Sequence, residues 1–259
     1  MKLLKSLASA FLMYSRIPMP QIAWKEENRR YALCFFPLIG MIIGILLLLW
    51  LSLSNWLHIG GFLKGVGSVL IPLLVTGGIH MDGFCDVTDA KASYADQKKK
   101  LEIMCDPHTG SFAILYLCGY LLLQTALFSE FSHSHTAIIV AWGYVLSRAL
   151  SGIAAVTLKS AKNEGTLQNF VRPAHKKITI MVLVCTAALS GGSMLIISFL
   201  SGGLALLGAA GCFLYYKKSS YQDFGGITGD TAGWFLQICE IAVLLFAVVG
   251  EKIMEVTAL

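Results

Sequence analysis

The apolar positions of this chain fall into long, nearly unbroken runs, with the polar residues gathered between them. A run of about 20 apolar residues spans the roughly 30 Å hydrocarbon layer of a bilayer at 1.5 Å per residue, so each such run predicts a membrane-crossing helix. Seven are expected, over residues 31–53, 62–79, 112–128, 137–158, 178–200, 204–216 and 231–250. The sixth is the shortest, and without it the count falls to six and the C-terminus changes sides. Residues 3–14 predict a further helix, either amphipathic and lying on the membrane face or partly buried against the bundle. No fixed-period repeat, low-complexity tract or long linker divides the chain. The expected fold is all-α: one polytopic helical bundle over residues 1–259, with an interfacial segment at 1–30 and an acidic connection at 77–111.

Composition excludes a soluble globule. With 56% hydrophobic and 14% charged residues and a mean hydropathy of +0.70, the chain lacks the polar surface to cover itself. The basic residues give the bundle a direction, because short cytoplasmic connections keep positive charge. Seventeen of the 20 lysines and arginines fall on the side of the N-terminus, only Lys64 and Lys252 on the other, and Arg148 inside the fourth run. The N-terminus is therefore expected in the cytoplasm and the C-terminus outside. The net charge of +5 then reflects topology and attraction to anionic lipid, and no nucleic acid partner is needed to explain it. The seven cysteines show no CxxC pairing and read as small buried hydrophobes.

The chemistry lies in the connections. Six of the 15 acids stand between residues 77 and 111: Asp82, Asp86, Asp89, Asp96, Glu102 and Asp106. In GGIHMDGFCDVTDA the first three occur at i, i+4 and i+7, on one face of a helix, where like charges repel unless a cation binds. Hard oxygen donors suit Mg²⁺, which keeps waters and shares its remaining positions with substrate phosphates. Otherwise the three acids form a solvated helix face. Gly78 and Gly83 let backbone approach a bulky substrate. His80 either orients a carboxylate, touches a phosphate, takes up a proton or merely packs. Asp106 precedes Pro107 and a turn into the third run; with His108 it forms either the rim of a phosphate pocket or turn chemistry. The segment FGGITGD supplies Gly226, Gly229 and Asp230, and the helix after it carries Gln237 and Glu240. Glu240 is either functional or the partner of Arg148 in a pair that holds helices together. Arg16 and Arg172 either reach the same site or snorkel at the membrane boundary. His133 and His135 receive no role.

Taken in order, these segments resemble the adenosylcobinamide-GDP ribazoletransferases, or cobalamin synthases. SRIPMP resembles that family's TRxPxP, GGIHMDGFCDVTDA its GGxHxDGxxDxxDG, LEIMCDPHTGSF its LEIMKDxxxGxxG, and GGITGDTAGWFLQICEIAVLL its GGxTGDxxGAxxExxE helix; SRAL and NEGTLQNF also match. Ala90, Cys105 and Gln237 depart from the pattern, Cys105 standing where a lysine is common. The resemblance implies a Mg²⁺-dependent transfer that joins adenosylcobinamide-GDP to α-ribazole, or its 5′-phosphate, and expels GMP. It implies Asp82, Asp86 and Asp89, with Asp230, as metal ligands, and His80, Asp82, Asp86 and Asp106 as catalytic. Gly78, Gly83, Arg16, Arg148, Gly226 and Gly229 would contact substrate. The partners it implies are a corrinoid nucleotide, α-ribazole and membrane lipid, with a homo-oligomer or an association with other corrinoid-assembly enzymes. Two competing readings are a lipid phosphotransferase using CDP-alcohols, whose DGxxAR signature is incomplete here, and an ion-coupled transporter.

Overall fold

Two glycines decide how the acidic segment sits on the bundle. In the computed structural model, which describes residues 2–131, 134–162 and 164–257, Gly77 and Gly78 adopt φ of +65° and +80°. This left-handed backbone is cheap only without a Cβ. It ends the helix before it and turns the next one by 97°.

Helix α1 (Lys2–Tyr14), the single turn α2 (Glu26–Arg29) and a 3₁₀ turn at Ala32–Phe35 lead into α3 (Phe36–Trp56), and α4 (Gly61–Thr76) returns. Beyond the glycines α5 (Ile79–Ala92) and α6 (Gln97–Ile103) lie across the end of the bundle. Then come α7 (Ser111–Ser129), α8 (Ser134–Thr157), the short α9 (Thr166–Val171), α10 (Lys176–Ile197), α11 (Phe199–Phe224) and α12 (Gly229–Thr257). Six of these helices are long and apolar enough to cross a membrane, and α4 passes the same test only when taken together with α5, from which it is bent. The second predicted span therefore ends at Thr76 rather than at 79, and the connection 77–111 is largely helical.

The sixth run was expected to be short, yet α11 is 26 residues long. Its helix continues through Lys217, Lys218 and Gln222, which carry backbone hydrogen bonding beyond the apolar layer. Ser198 separates it from α10 by capping its first turn, accepting from the Ser201 N–H. Helix α1 packs on α2, the 3₁₀ turn and α3, burying Ala8, Ala10 and Phe11 while Leu3 and Leu4 stay exposed. His133 lies outside the described residues.

The centre of the bundle is α8 and α12. Their apolar windows are 78% and 67% buried, against 17% for α10 and 28% for α7, which face outward. Helix α3 approaches α8 through Gly40 and Gly44, where a Cβ would strike the backbone of Tyr144 and Ala141. Small residues four apart permit this contact between membrane helices, where there is little hydrophobic drive to join them. Inside it, Arg148 and Glu240 form an ion pair at 2.7 Å, their side chains 1% and 3% exposed. Arg148 also donates to the Tyr144 carbonyl at 2.9 Å.

Candidate functional site

The structure sorts the acids near the mouth of the bundle by what they already hold. Asp96 caps α6, accepting from the Lys99 N–H at 2.8 Å. Glu102 pairs with Lys99 at 3.3 Å, and Asp106 with His108 at 2.7 Å. Asp89, expected among the metal ligands, accepts from the backbone N–H groups of Gly110 at 2.6 Å and Ala113 at 2.8 Å. Its carboxylate thereby caps the first turn of α7, where free N–H groups and the helix dipole favour negative charge. Asp223, at the end of α11, binds Lys91 and Lys100 at 2.8 and 2.7 Å. Asp82 and Asp86 are left without an ion pair or side-chain hydrogen bond among the described residues.

Asp230 stands across from these two, because α5 and α12 meet at Gly83. A Cβ there would lie 2.7 Å from the Asp230 carbonyl oxygen and 2.9 Å from its Cα, and on the facing side Gly233 would approach the His80 backbone at 3.1–3.2 Å. Burial, and then the charges of Asp82, Asp230 and Asp89, push the Asp86 carboxyl up from 3.8 to about 7. Among the described residues no three His, Cys, Asp or Glu side chains converge closely enough to hold a metal by themselves. The donor set still suits Mg²⁺, which commonly takes one or two carboxylates and completes its shell with water and substrate phosphate.

Three adjoining cavities open around Asp82 and Asp230. The first, about 240 Å³, runs inward between α1, α3, α5, α8 and α12, with Tyr14, Phe36, His80, Gly152 and Ala155 on its walls and Asp82 and Asp230 at its edge. The second, about 640 Å³, lies on the other side of Asp82 against Arg16, Gly77, Gly78 and Cys85. The backbone N–H of Arg16 is held by the Val75 carbonyl at 2.8 Å. The third, about 150 Å³, shares Gly229 and Asp230 with the first and is polar, with Lys162, Glu164, Gln168 and Thr228 on its walls. His80 is 5% exposed and its Nε2 has no partner. Burial, and then the charge of Arg148, lowers its imidazole to about 3, so it acts as a neutral group.

The third cavity is built by the FGGITGD loop. Gly225 ends α11 at φ +74°, and Gly226 brings its backbone so close to Lys159 and Ala161 that a Cβ would overlap them. The Ile227 N–H donates to the Lys159 carbonyl, and the Ala161 N–H to the Ile227 carbonyl, both at 2.9 Å. Thr228 and Thr231 then exchange backbone-to-hydroxyl bonds at 2.8 and 3.1 Å, closing the first turn of α12. This pairing brings Lys162 close enough for its charge to act on Asp230. The Lys162 ammonium also lies 3.1 Å from the Cys105 sulfur. The positive charge that Cys105 omits is thus supplied beside it by a residue 57 positions away. Nothing in the sequence spacing identified Lys162.

Several expected site residues have other tasks. Gly83 and Gly226 serve close backbone packing, since each abuts protein rather than a cavity. Arg148 lies within the core on Glu240, and the space beside it holds only about 10 Å³, which leaves no room for substrate. Asp106 is exposed and tied to the turn before α7, and it lines none of the three cavities. Gln237 is buried against Tyr120, whose hydroxyl donates to it at 2.6 Å, two turns away from Asp230. The structure brings together Arg16, Gly78, His80, Asp82, Asp86, Gly229 and Asp230, and adds Lys162.

Comparison with known proteins agrees with the order of motifs. Residues 6–248 match the family model of cobalamin-5-phosphate synthase, CobS. The adenosylcobinamide-GDP ribazoletransferase of Lachnoclostridium phytofermentans is 43% identical over 98% of this chain and 97% of its own. Those of Clostridium botulinum (Alaska E43) and Pseudomonas fluorescens are each 32% identical, covering 95% and 92% of this chain and 97% and 96% of theirs. No solved structure matches it. A match over nearly the whole length, carried by relatives in distant bacteria, places this chain in the CobS family.

Proposed function

We propose that this chain is the Mg²⁺-dependent transferase that joins adenosylcobinamide-GDP to α-ribazole, or its 5′-phosphate, releasing GMP in the last step of nucleotide-loop assembly of coenzyme B12. The reading places it in the prokaryotic inner membrane with the three cavities open to the cytoplasm. The excess of basic residues on that side supports this orientation. The observation that carries the chemistry is Asp82, unpartnered among the described residues, on the same cavity as Asp230 where an apolar and a polar cavity meet, with Asp86 near enough for both charges to act on it.

In this reaction a ribazole hydroxyl forms a new P–O bond at the phosphorus linked to cobinamide. The P–O bond to GMP breaks, and the hydroxyl proton leaves. Phosphoryl transfer of this kind depends chiefly on alignment and charge neutralisation. Bound Mg²⁺ would supply charge stabilisation for the pyrophosphate, held by one or two of Asp82, Asp86 and Asp230 together with substrate phosphate and water. Lys162 and the N-terminus of α12 add positive character on the polar side, and Arg16 offers a second cation along the 640 Å³ cavity.

The test is direct. Purified protein given both substrates should release GMP only when Mg²⁺ is present. Asp82→Asn should abolish turnover while the protein still inserts and folds. Full activity in that variant, or in wild type stripped by a chelator, would remove the proposed ligand set.

A further inference from the structure

We propose that the cavity on the opposite side of α5 from Asp82 and Asp86 is a site for one anionic phospholipid, with the headgroup phosphate on Lys91 and Lys100 and an acyl chain against Phe112, Tyr116 and Ile238. The site requires a membrane around the chain, and it stands whether or not the transferase reading does.

Helix α5 presents two faces. By the roughly 100° step of a helix, Phe84, Thr88 and Lys91 lie about half a turn round from Asp82 and Asp86. They line a cavity of about 600 Å³ that is completed by α6, α7, α11 and α12. On its polar side Lys91 and Lys100 bind the two oxygens of Asp223 at 2.8 and 2.7 Å, so two positive charges share one negative and one is left over. Their side chains are 26% and 12% exposed, held in place rather than free in solvent. Lys91 also donates to the Ser219 hydroxyl and lies 5.2 Å from the centre of the Trp234 ring. An ammonium has three donors. Lys91 uses two and Lys100 one among the described residues, which leaves donors on both for a phosphate.

Beside the charges the wall is apolar and open to lipid. Phe112 and Tyr116, on the first two turns of α7, are exposed, as is Tyr215 of α11, so the cavity runs into the outward faces of two membrane-crossing helices. Ile238 of α12 continues the wall inward. Aromatic rings at this level mark the boundary between headgroups and hydrocarbon, and basic pockets between membrane helices at that boundary bind anionic headgroups. An occupant that satisfies both halves has a phosphate and a hydrocarbon tail. Soluble phosphate or a nucleotide would leave the aromatic wall bare. A zwitterionic headgroup would bring a further cation with no acid to meet, since Asp223 already holds two lysines and no other acid lines the cavity among the described residues. An anionic headgroup neutralises the surplus charge, and the lipid then bears on the back of the helix that carries Asp82 and Asp86.

The experiment places the full-length chain in lipid nanodiscs of phosphatidylcholine and phosphatidylglycerol in equal amounts and counts the lipids it retains by native mass spectrometry. Wild type should keep one phosphatidylglycerol at least fivefold more often than phosphatidylcholine. The triple variant Lys91→Gln, Lys100→Gln, Asp223→Asn removes all three charges without stranding a carboxylate, and it should lose that preference, with thermal unfolding as the check that it folds. Lys100→Arg should retain it. Ile238→Phe narrows the apolar wall and leaves the charges in place; it should lower retention of phosphatidylglycerol at least threefold, and it decides the matter if the triple variant does not fold. Excess inorganic phosphate should not displace the lipid. Equal retention of the two lipids by wild type, unaltered preference in the folded triple variant, unchanged retention in Ile238→Phe, displacement by phosphate, or a lipid-free dimer in the spectrum would overturn the assignment. None of these readouts depends on GMP release, so either reading can fail alone.

Discussion

Replacing Gly83 by alanine should separate activity from stability in this protein. The new methyl would stand 2.7 Å from the Asp230 carbonyl oxygen and 3.2 Å from its carbonyl carbon, both backbone atoms that cannot swing aside. Ordinary contact begins near 3.4 Å, so α5 and α12 must part by about 0.7 Å at this crossing. Overpacking of this kind costs about 1–3 kcal/mol, while alanine in place of helical glycine returns about 1 kcal/mol. The net loss of stability is therefore small, on the order of 0–2 kcal/mol. The catalytic cost is larger, because the crossing sets Asp82 and Asp86 against Asp230, and a shift approaching 1 Å can cost about 100-fold in rate. We expect kcat to fall by roughly 10- to 100-fold with the unfolding temperature nearly unchanged, measured by GMP release and thermal unfolding in the same nanodiscs. Gly119→Ala is the control, since a Cβ there meets nothing within 4 Å. Wild-type kcat in Gly83→Ala would show that this contact does not position the carboxylates.

Glu240→Ala should destabilise the bundle by about 3–5 kcal/mol, since it strands the buried Arg148 charge, whereas Arg148→Met with Glu240→Leu should recover most of that loss in thermal unfolding; a double variant no better than the single one would contradict the pairing. Asp89→Ala removes the acceptor for two N–H groups at the start of α7 and should cost about 0.5–2 kcal/mol. The Mg²⁺ concentration for half-maximal activity should stay unchanged in that variant, and a marked rise would make Asp89 a metal ligand. The Asp86 carboxyl, raised from 3.8 to about 7, keeps a proton in the folded chain over a range where the unfolded chain has lost it. The metal-free protein should thus lose stability as pH rises from about 4 to 7, and Mg²⁺, which displaces that proton, should bind more tightly over the same rise. Asp86→Asn should flatten both dependences, and unaltered profiles in that variant would assign them to another group.

Membrane residence, the apolar helices and the clustering of polar chemistry at one end were legible in the chain itself. A bilayer imposes a length and a polarity on each crossing segment, and both are properties of consecutive residues. Even the tight α3–α8 contact leaves a local trace in the GMIIG spacing of Gly40 and Gly44. The i, i+4, i+7 spacing of Asp82, Asp86 and Asp89 was equally visible, but it treats three acids alike that the fold uses differently. Asp89 is taken up by amides 21 and 24 positions away. Asp82 and Asp86 find Asp230 only because Gly83 lets α12 come close, and Lys162 reaches the site only because two loops pair through backbone hydrogen bonds. Which carboxylates remain free, where a cation stands and whether Arg148 meets solvent or Glu240 are set by the crossing of helices distant in sequence. Periodicity along one helix carries no information about what another helix will bring against it.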